Sequence, residues 1–182
     1  MQSYLDTLKN ILENGNDRGD RTGTGTRGLF GTQTRYDLQD GFPAMTTKRL
    51  AWKAVVSELL WFIEGSGDER RLCEILHGTT SPDKKTIWTA NAEADYWKGT
   101  NGNLGRVYGV QWRHWRSFKS LAHAEGSDGL LVGNYAETDQ LANLVRDIKE
   151  DPYSRRHMLT SWNPGELDDM ALPPCHILSQ FY

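Results

Sequence analysis

The sequence predicts a mixed α+β fold, and three observations carry that expectation. Apolar residues recur at helical spacing over 51–64 and again over 139–150. Short runs rich in β-formers, at 29–38, 157–162 and 175–182, lie between turn signals. Helix-like and strand-like segments do not alternate regularly, as they would in a doubly wound sheet.

Taken in order, the first element is a helix. Ser3 is a candidate N-cap, Leu5, Leu8 and Leu12 form an apolar stripe, and Gly15 is a natural stop. A polar, Gly-rich loop follows, Asp17 to Thr26, and then a strand over 29–38 closed by the turn Asp40-Gly-Phe-Pro43. Residues 51–64 predict a largely buried helix, with Trp52, Val55, Val56, Leu59, Leu60 and Ile63 in period and Trp61 and Phe62 widening the apolar surface. Gly65-Ser-Gly67 ends it. A short helix over 70–76, a turn around Pro82 and a short strand or sheet edge at Thr86-Ile-Trp88 come next. Residues 90–106 read as loop, and 116–136, with Gly126, Gly129 and Gly133, as a surface insertion. Residues 139–150 predict an amphipathic helix capped by Thr138 or Asp139, with Pro152 beyond its end. Strands at 157–162 and from Cys175 onward flank the turn Asn163-Pro-Gly165.

Composition narrows the function. At roughly 100–200 residues per domain, a 182-residue chain suggests one domain. Lys+Arg is 21 and Asp+Glu 24, a net charge of −3, which argues against non-specific binding to nucleic acid or anionic membrane. Without a basic groove, the seven Trp are core residues rather than base-stacking platforms. Two cysteines, Cys73 and Cys175, exclude a disulfide scaffold and fit a reducing, cytoplasmic location. The N-terminus lacks the apolar core of a signal peptide, and no run approaches the ~20 apolar residues of a membrane span. No metal site is expected, because there is no Cys-x-x-Cys or His-x-x-x-His pair.

Four features could carry chemistry. Cys175, after Leu172-Pro-Pro174, is a candidate nucleophile, though a lone Cys is more often a small buried hydrophobe, as Cys73 is expected to be. Arg155-Arg156, in a turn after a helix, offers two forks to a phosphate, or simply a solvated charge pair. Arg21 in the Thr/Gly loop could meet a phosphate, or belong to a plain turn; no Walker pattern follows it. Glu58 lies among Ala54, Val55, Trp61 and Phe62, where desolvation would raise its pKa and suit proton transfer, unless the helix turns it to solvent.

These features fall within eight ordered motifs: Asp20-Arg-Thr-Gly-Thr-Gly-Thr26, Asp40-Gly-Phe-Pro43, Thr46-Thr-Lys-Arg49, Glu58-Leu-Leu-Trp-Phe62, Val107-Tyr-Gly-Val-Gln-Trp-Arg113, Asp151-Pro-Tyr-Ser-Arg-Arg156, Ser161-Trp-Asn163 and Met170-Ala-Leu-Pro-Pro-Cys-His176. In this order, from about residue 4 to the last residue, the chain resembles thymidylate synthases. The resemblance implies an α+β, thymidylate-synthase-like fold with a large bent mixed β-sheet, helices on one face and the other face in a homodimer interface. It also implies reductive methylation of dUMP to dTMP, with 5,10-methylenetetrahydrofolate giving the carbon and the hydride.

Carried over by motif, Cys175 would add to C6 of the uracil, Glu58 would organise waters and move protons near O4, and Tyr108 would lie near the C5 proton. Arg21 would hold the dUMP phosphate, and Arg155 and Arg156 would reach the phosphate bound in the partner subunit. One of those two arginines could also stabilise the Cys175 thiolate. Lys48, Ile87, Trp88 and Leu172 would line the folate site. The chain departs from the family pattern at Thr89, where many members carry Asp, at Arg106, where Gly-Pro-Val-Tyr-Gly is usual, and at Ala51-Trp52, where several members carry His. The changes at Thr89 and Arg106 keep a related dUMP/dCMP hydroxymethylase as an alternative. The sequence ends seven residues after Cys175, so residues 1–182 correspond to the N-terminal part of a single family domain. The isolated chain is accordingly expected to be inactive and to need the remaining part, a separate C-terminal polypeptide being one source of it.

Overall fold

The computed structural model describes residues 2–20, 23–123 and 131–182, which fall into two compact units, Met1–Ala51 and Trp52–Tyr182.

In the N-terminal unit, helix α1 spans Gln2–Asn14. It ends where predicted, the Gly15 N–H donating to the Ile11 carbonyl at 2.9 Å. Ser3 is not the cap but lies inside the first turn, its carbonyl accepting the Thr7 hydroxyl at 2.9 Å. Strands β1 (Asn16–Arg18) and β2 (Thr26–Gly28) pair antiparallel on either side of the Thr/Gly loop, and an Asp17–Arg27 ion pair at 2.7 Å ties them. The strand predicted over 29–38 does not form. Gly31 takes φ +74°, Phe30 is fully exposed, and a 3-10 turn at Leu38–Asp40, capped by Asp37, replaces the strand's end. Among the described residues no neighbouring strand offers this run a hydrogen-bonding edge, and β-propensity without a partner does not hold a strand.

The second unit holds α2 (Trp52–Glu64), α3 (Glu69–His77), α4 (Thr89–Ala92), α5 (Tyr108–Arg113), β3 (Trp115–His123), β4 (Leu131–Thr138), α6 (Gln140–Glu150), β5 (His157–Thr160) and β6 (Leu178–Phe181). Local signals set the longer helices. The Asp68 carboxylate caps α3 on the Arg70 N–H, and Gly78 in the left-handed region closes it. Asp139 caps α6 on the Ala142 N–H at 2.8 Å. Trp61, Phe62, Leu72, Leu104, Val107, Tyr108, Leu144, Leu159 and Met170 form the core. Helix α5 approaches α2 so closely that a Cβ on Gly109 would lie 2.5 Å from the Phe62 carbonyl oxygen. Only glycine fits there.

Two expectations are corrected in this unit. Helix α2 is not largely buried: only Ser57, Trp61 and Phe62 are, whereas Trp52, Val55, Val56, Leu59, Leu60 and Ile63 are 38–50% exposed. α3 and α5 cover one side of α2, and the rest of its wide apolar surface is open. Ile87 and Trp88 form a turn into α4, not a strand. The Thr86 N–H donates to the Thr89 hydroxyl at 2.8 Å and the Trp88 N–H to the Thr86 hydroxyl at 3.1 Å, so local acceptors satisfy groups that a ladder would use. Within 116–136 the chain forms most of the β3–β4 antiparallel pair, steadied by an edge-on Phe118–Tyr135 contact at 5.7 Å. Residues 124–130 of that stretch lie outside the described residues.

The strands among the described residues form three separate antiparallel pairs, β1–β2, β3–β4 and β5–β6, rather than one large bent mixed sheet. β3 and β4 run nine and eight residues and the other strands only three or four, and most of their described side chains are exposed. Among the described residues only β5 buries alternate side chains, His157 and Leu159, while β6 is exposed throughout. A broad sheet requires a continuous apolar face on neighbouring strands. Among the described residues no helix is long and apolar enough to cross a membrane.

Candidate active site

Two pairs of residues, far apart in sequence, meet over the core of the second unit. In the first, the Trp88 indole N–H donates to the Glu58 carboxylate at 2.6 Å. Glu58, on α2, is half-buried, so neither full burial nor full hydration applies. In the second, the Cys175 backbone N–H donates to the Tyr108 hydroxyl at 2.6 Å. An aromatic stack connects them: Tyr108 lies edge-on to Trp88 at 6.0 Å and 4.9 Å from Phe62, and the His176 ring stacks on Tyr108 at 3.9 Å.

The backbone explains why Cys175 arrives at Tyr108. Residues 104–106 run antiparallel to 169–171: Ala171 N–H to Leu104 carbonyl, 3.0 Å, and Arg106 N–H to Asp169 carbonyl, 2.8 Å. Gly105 permits this, at φ +76° and with a hypothetical Cβ only 2.0 Å from the Asp169 carbonyl oxygen. The first strip leads into α5 and Tyr108, the second through Leu172-Pro-Pro174 to Cys175. A buried polar cluster locks the strips together. Arg106 donates to Glu166 at 2.9 Å and to the His114 carbonyl at 2.5 Å, and Gln111 and Asn163 donate to the same Glu166 oxygen at 2.8 and 3.1 Å.

Burial pushes the Tyr108 hydroxyl's pKa up; the Cys175 amide draws it back, and charge on the neighbouring thiolate raises it. His176 is exposed as a residue, but partial desolvation of its ring lowers its pKa and favours the neutral imidazole. The Cys175 thiol is exposed and free, whereas Cys73 is buried. An accessible thiol, a half-buried carboxylate and a phenol, linked through the Trp88–Tyr108 contact, can support nucleophilic addition with proton transfer beside it.

The structure thus brings together Glu58, Trp88, Tyr108 and Cys175. Leu172 packs, half-buried, on the same core, and Ile87 is 78% exposed beside the buried Trp88. Arg155 and Arg156 are exposed on the loop before β5, and neither guanidinium has an ion-pair partner among the described residues. Lys48 is exposed in the N-terminal unit. Arg21 lies outside the described residues. Thr89 and Arg106, both departures from the family pattern, are buried and bonded to Glu69 and Glu166 respectively. His176 is the residue that sequence reasoning left without a role; its place next to Cys175 was the available signal. Among the described residues no group of three or more His, Cys, Asp or Glu side chains is arranged to hold a metal ion.

The family model described as thymidylate synthase matches residues 2–182. Among solved structures, the chain is similar to the crystal structure of thymidylate synthase from T4 phage, with 42% sequence identity and a TM-score of 0.82. That match covers 100% of this chain and 57% of the phage chain, so the 182 residues span little more than half the length of that relative.

Proposed function

Because this chain belongs to the thymidylate synthase family, we propose that it carries the nucleophile-bearing part of an enzyme that converts dUMP to dTMP with 5,10-methylenetetrahydrofolate. The observation that carries this reading is the exposed Cys175 whose backbone is fixed on the Tyr108 hydroxyl, next to the Trp88–Glu58 pair.

The Cys175 thiolate adds to C6 of the uracil. The ring's conjugation is broken, and the electron pair passes to C5 and O4, so C5 becomes a carbon nucleophile. Glu58, held by Trp88, exchanges protons at O4, and Tyr108 takes part in removing the C5 proton. C5 bonds to the folate's one-carbon unit, the C5 proton leaves, and the bond from that carbon to the folate nitrogen breaks; hydride from the folate then reaches the carbon as the C6–sulfur bond breaks, which expels the Cys175 thiolate and restores the C5–C6 double bond. The folate supplies the one-carbon unit and the hydride that reduces it to methyl. Ile87 and Leu172 fit its apolar side, since Ile87 presents most of its surface to solvent and Leu172 part of its own. Trp88 is 5% exposed, so it serves that site from beneath, through Glu58. Lys48 offers a cation to the folate, and Arg21 to the dUMP phosphate. Arg155 and Arg156 reach the phosphate held in the partner subunit of a homodimer. A free, accessible thiol is at home in the reducing cytoplasm.

The test is product analysis on the full-length protein, with dUMP and 5,10-methylenetetrahydrofolate. Formation of dTMP and dihydrofolate in equal amounts, lost in Cys175→Ser, is the expected result. A product one oxygen heavier would indicate a hydroxymethylase, and no product from a folded protein would overturn both.

A further inference from the structure

Glu69 is a carboxylate in an unusual place. It is the first residue of α3, is only 1% exposed, and has no part in the chemistry above. Its Oε1 accepts the Thr89 hydroxyl at 2.5 Å and the Thr86 hydroxyl at 2.7 Å. Its Oε2 accepts the Arg70 Nε–H at 2.6 Å. A buried charge so surrounded is costly to place and costly to leave unpaired, so its donors are held tightly. Both threonines belong to the turn that carries Trp88. The Thr86 hydroxyl accepts the Trp88 N–H at 3.1 Å, and the Thr89 hydroxyl accepts the Thr86 N–H at 2.8 Å. Each threonine hydroxyl therefore donates to Glu69 and accepts from the turn's backbone, which fixes the direction of every bond. At the turn's far side the Trp88 indole points to Glu58 at 2.6 Å.

We propose that Glu69 is a positioning residue for the Glu58–Trp88 pair: its buried carboxylate orients the Thr86 and Thr89 hydroxyls, and the turn they fix aims the Trp88 indole at the Glu58 carboxylate. This inference rests on the proton-transfer reading of Glu58 for its catalytic consequence, but not for its structural content. The Glu69 side chain contacts no reacting atom, so its influence runs through the turn alone.

The test is the indole N–H resonance of Trp88 in the full-length protein labelled with nitrogen-15 on tryptophan. The Trp112 and Trp97 indoles, bonded to Ser161 and to the Asn103 carbonyl, serve as internal references. Glu69→Leu and Thr86→Val are expected to move the Trp88 indole and amide resonances and leave the references in place. Glu69→Gln keeps an oxygen acceptor and is expected to restore most of the position. If Glu69→Leu does not fold, Thr86→Val and Thr89→Val interrogate the same relay. An unmoved Trp88 indole in a folded Glu69→Leu or Thr86→Val protein overturns the proposal. Turnover is the second arm: kcat falls roughly tenfold with KM for dUMP unchanged. A moved indole with unchanged kcat leaves the positioning role standing and removes the proton-transfer role of Glu58 instead.

Discussion

The backbone N–H of Cys175 rests on the hydroxyl of Tyr108, 2.6 Å away across 67 residues of sequence. That bond holds the Cys175 backbone, and with it the thiol, beside the phenol. Tyr108→Phe keeps the ring, and hence its stacking with His176, but removes the acceptor. The loss is expected to destabilise the protein by about 1 kcal/mol, the net worth of one hydrogen bond, and to change the rate at which iodoacetamide alkylates Cys175. Cys73 is 0% exposed and serves as the unreactive control in the same peptide map. An unchanged Cys175 alkylation rate in Tyr108→Phe would show that the bond does not orient the thiol.

Glu58 and Trp88 separate charge from geometry. Glu58→Gln keeps an acceptor for the indole but loses the proton that a carboxyl exchanges. Stability should be nearly unaltered, with kcat down by about 10²–10⁴, the usual range for a general acid or base. Trp88→Phe keeps the charge and removes the donor, so kcat falls less than in Glu58→Gln and the pH dependence of kcat moves. Steady-state kinetics of the two variants across pH decide this. Equal losses in both would mean that the indole does more than hold the carboxylate.

Local rules made much of this structure readable, and contacts across long stretches of chain did not follow from them. The cap at Asp139, the stop at Gly15 and the apolar period of α2 are properties of a few adjacent residues. They hold wherever the tertiary structure agrees. The strand predicted over 29–38 and the edge predicted at Thr86-Ile-Trp88 failed because a strand needs a partner, and the Thr86 and Thr89 hydroxyls offered the backbone a nearer one. Candidate site residues were legible through family motifs, but their pairing was not. Trp88 and Glu58 are 30 residues apart, and Arg106 and Glu166 are 60 apart. Nothing in the one-dimensional pattern of Arg106 distinguishes a charge facing solvent from a buried one that ties two strips together.

Glu166 is the common acceptor of Arg106, Gln111 and Asn163. The Arg106 and Glu166 side chains are only 10% and 13% exposed. Glu166→Ala leaves a buried guanidinium and two amides without their acceptor, and such a break costs about 3–5 kcal/mol. Urea denaturation measures it. The double variant Arg106→Met/Glu166→Ala removes the orphaned charge, keeps the backbone N–H that donates to the Asp169 carbonyl, and should recover part of the loss. A double variant no more stable than Glu166→Ala alone would place the cost elsewhere than in the unpaired arginine.

Glu69 carries a signature in acid. Burial pushes its carboxyl pKa up, but the hydrogen bonds from Thr89, Arg70 and Thr86 and the charge of Arg70 outweigh burial, and the folded value lies below the ordinary 4.5. The unfolded chain therefore takes up the proton first as pH falls. Stability from the ionised Glu69 is fully present above the unfolded pKa and is lost as pH drops through the folded one. Glu69→Gln has no proton to bind, so its stability should fall less steeply than that of the unsubstituted protein between about pH 6 and pH 3. Urea midpoints followed by circular dichroism over that range give the two slopes. Because the other carboxylates are common to both proteins, the difference in slope isolates Glu69, and identical slopes would mean that its pKa is the same folded and unfolded.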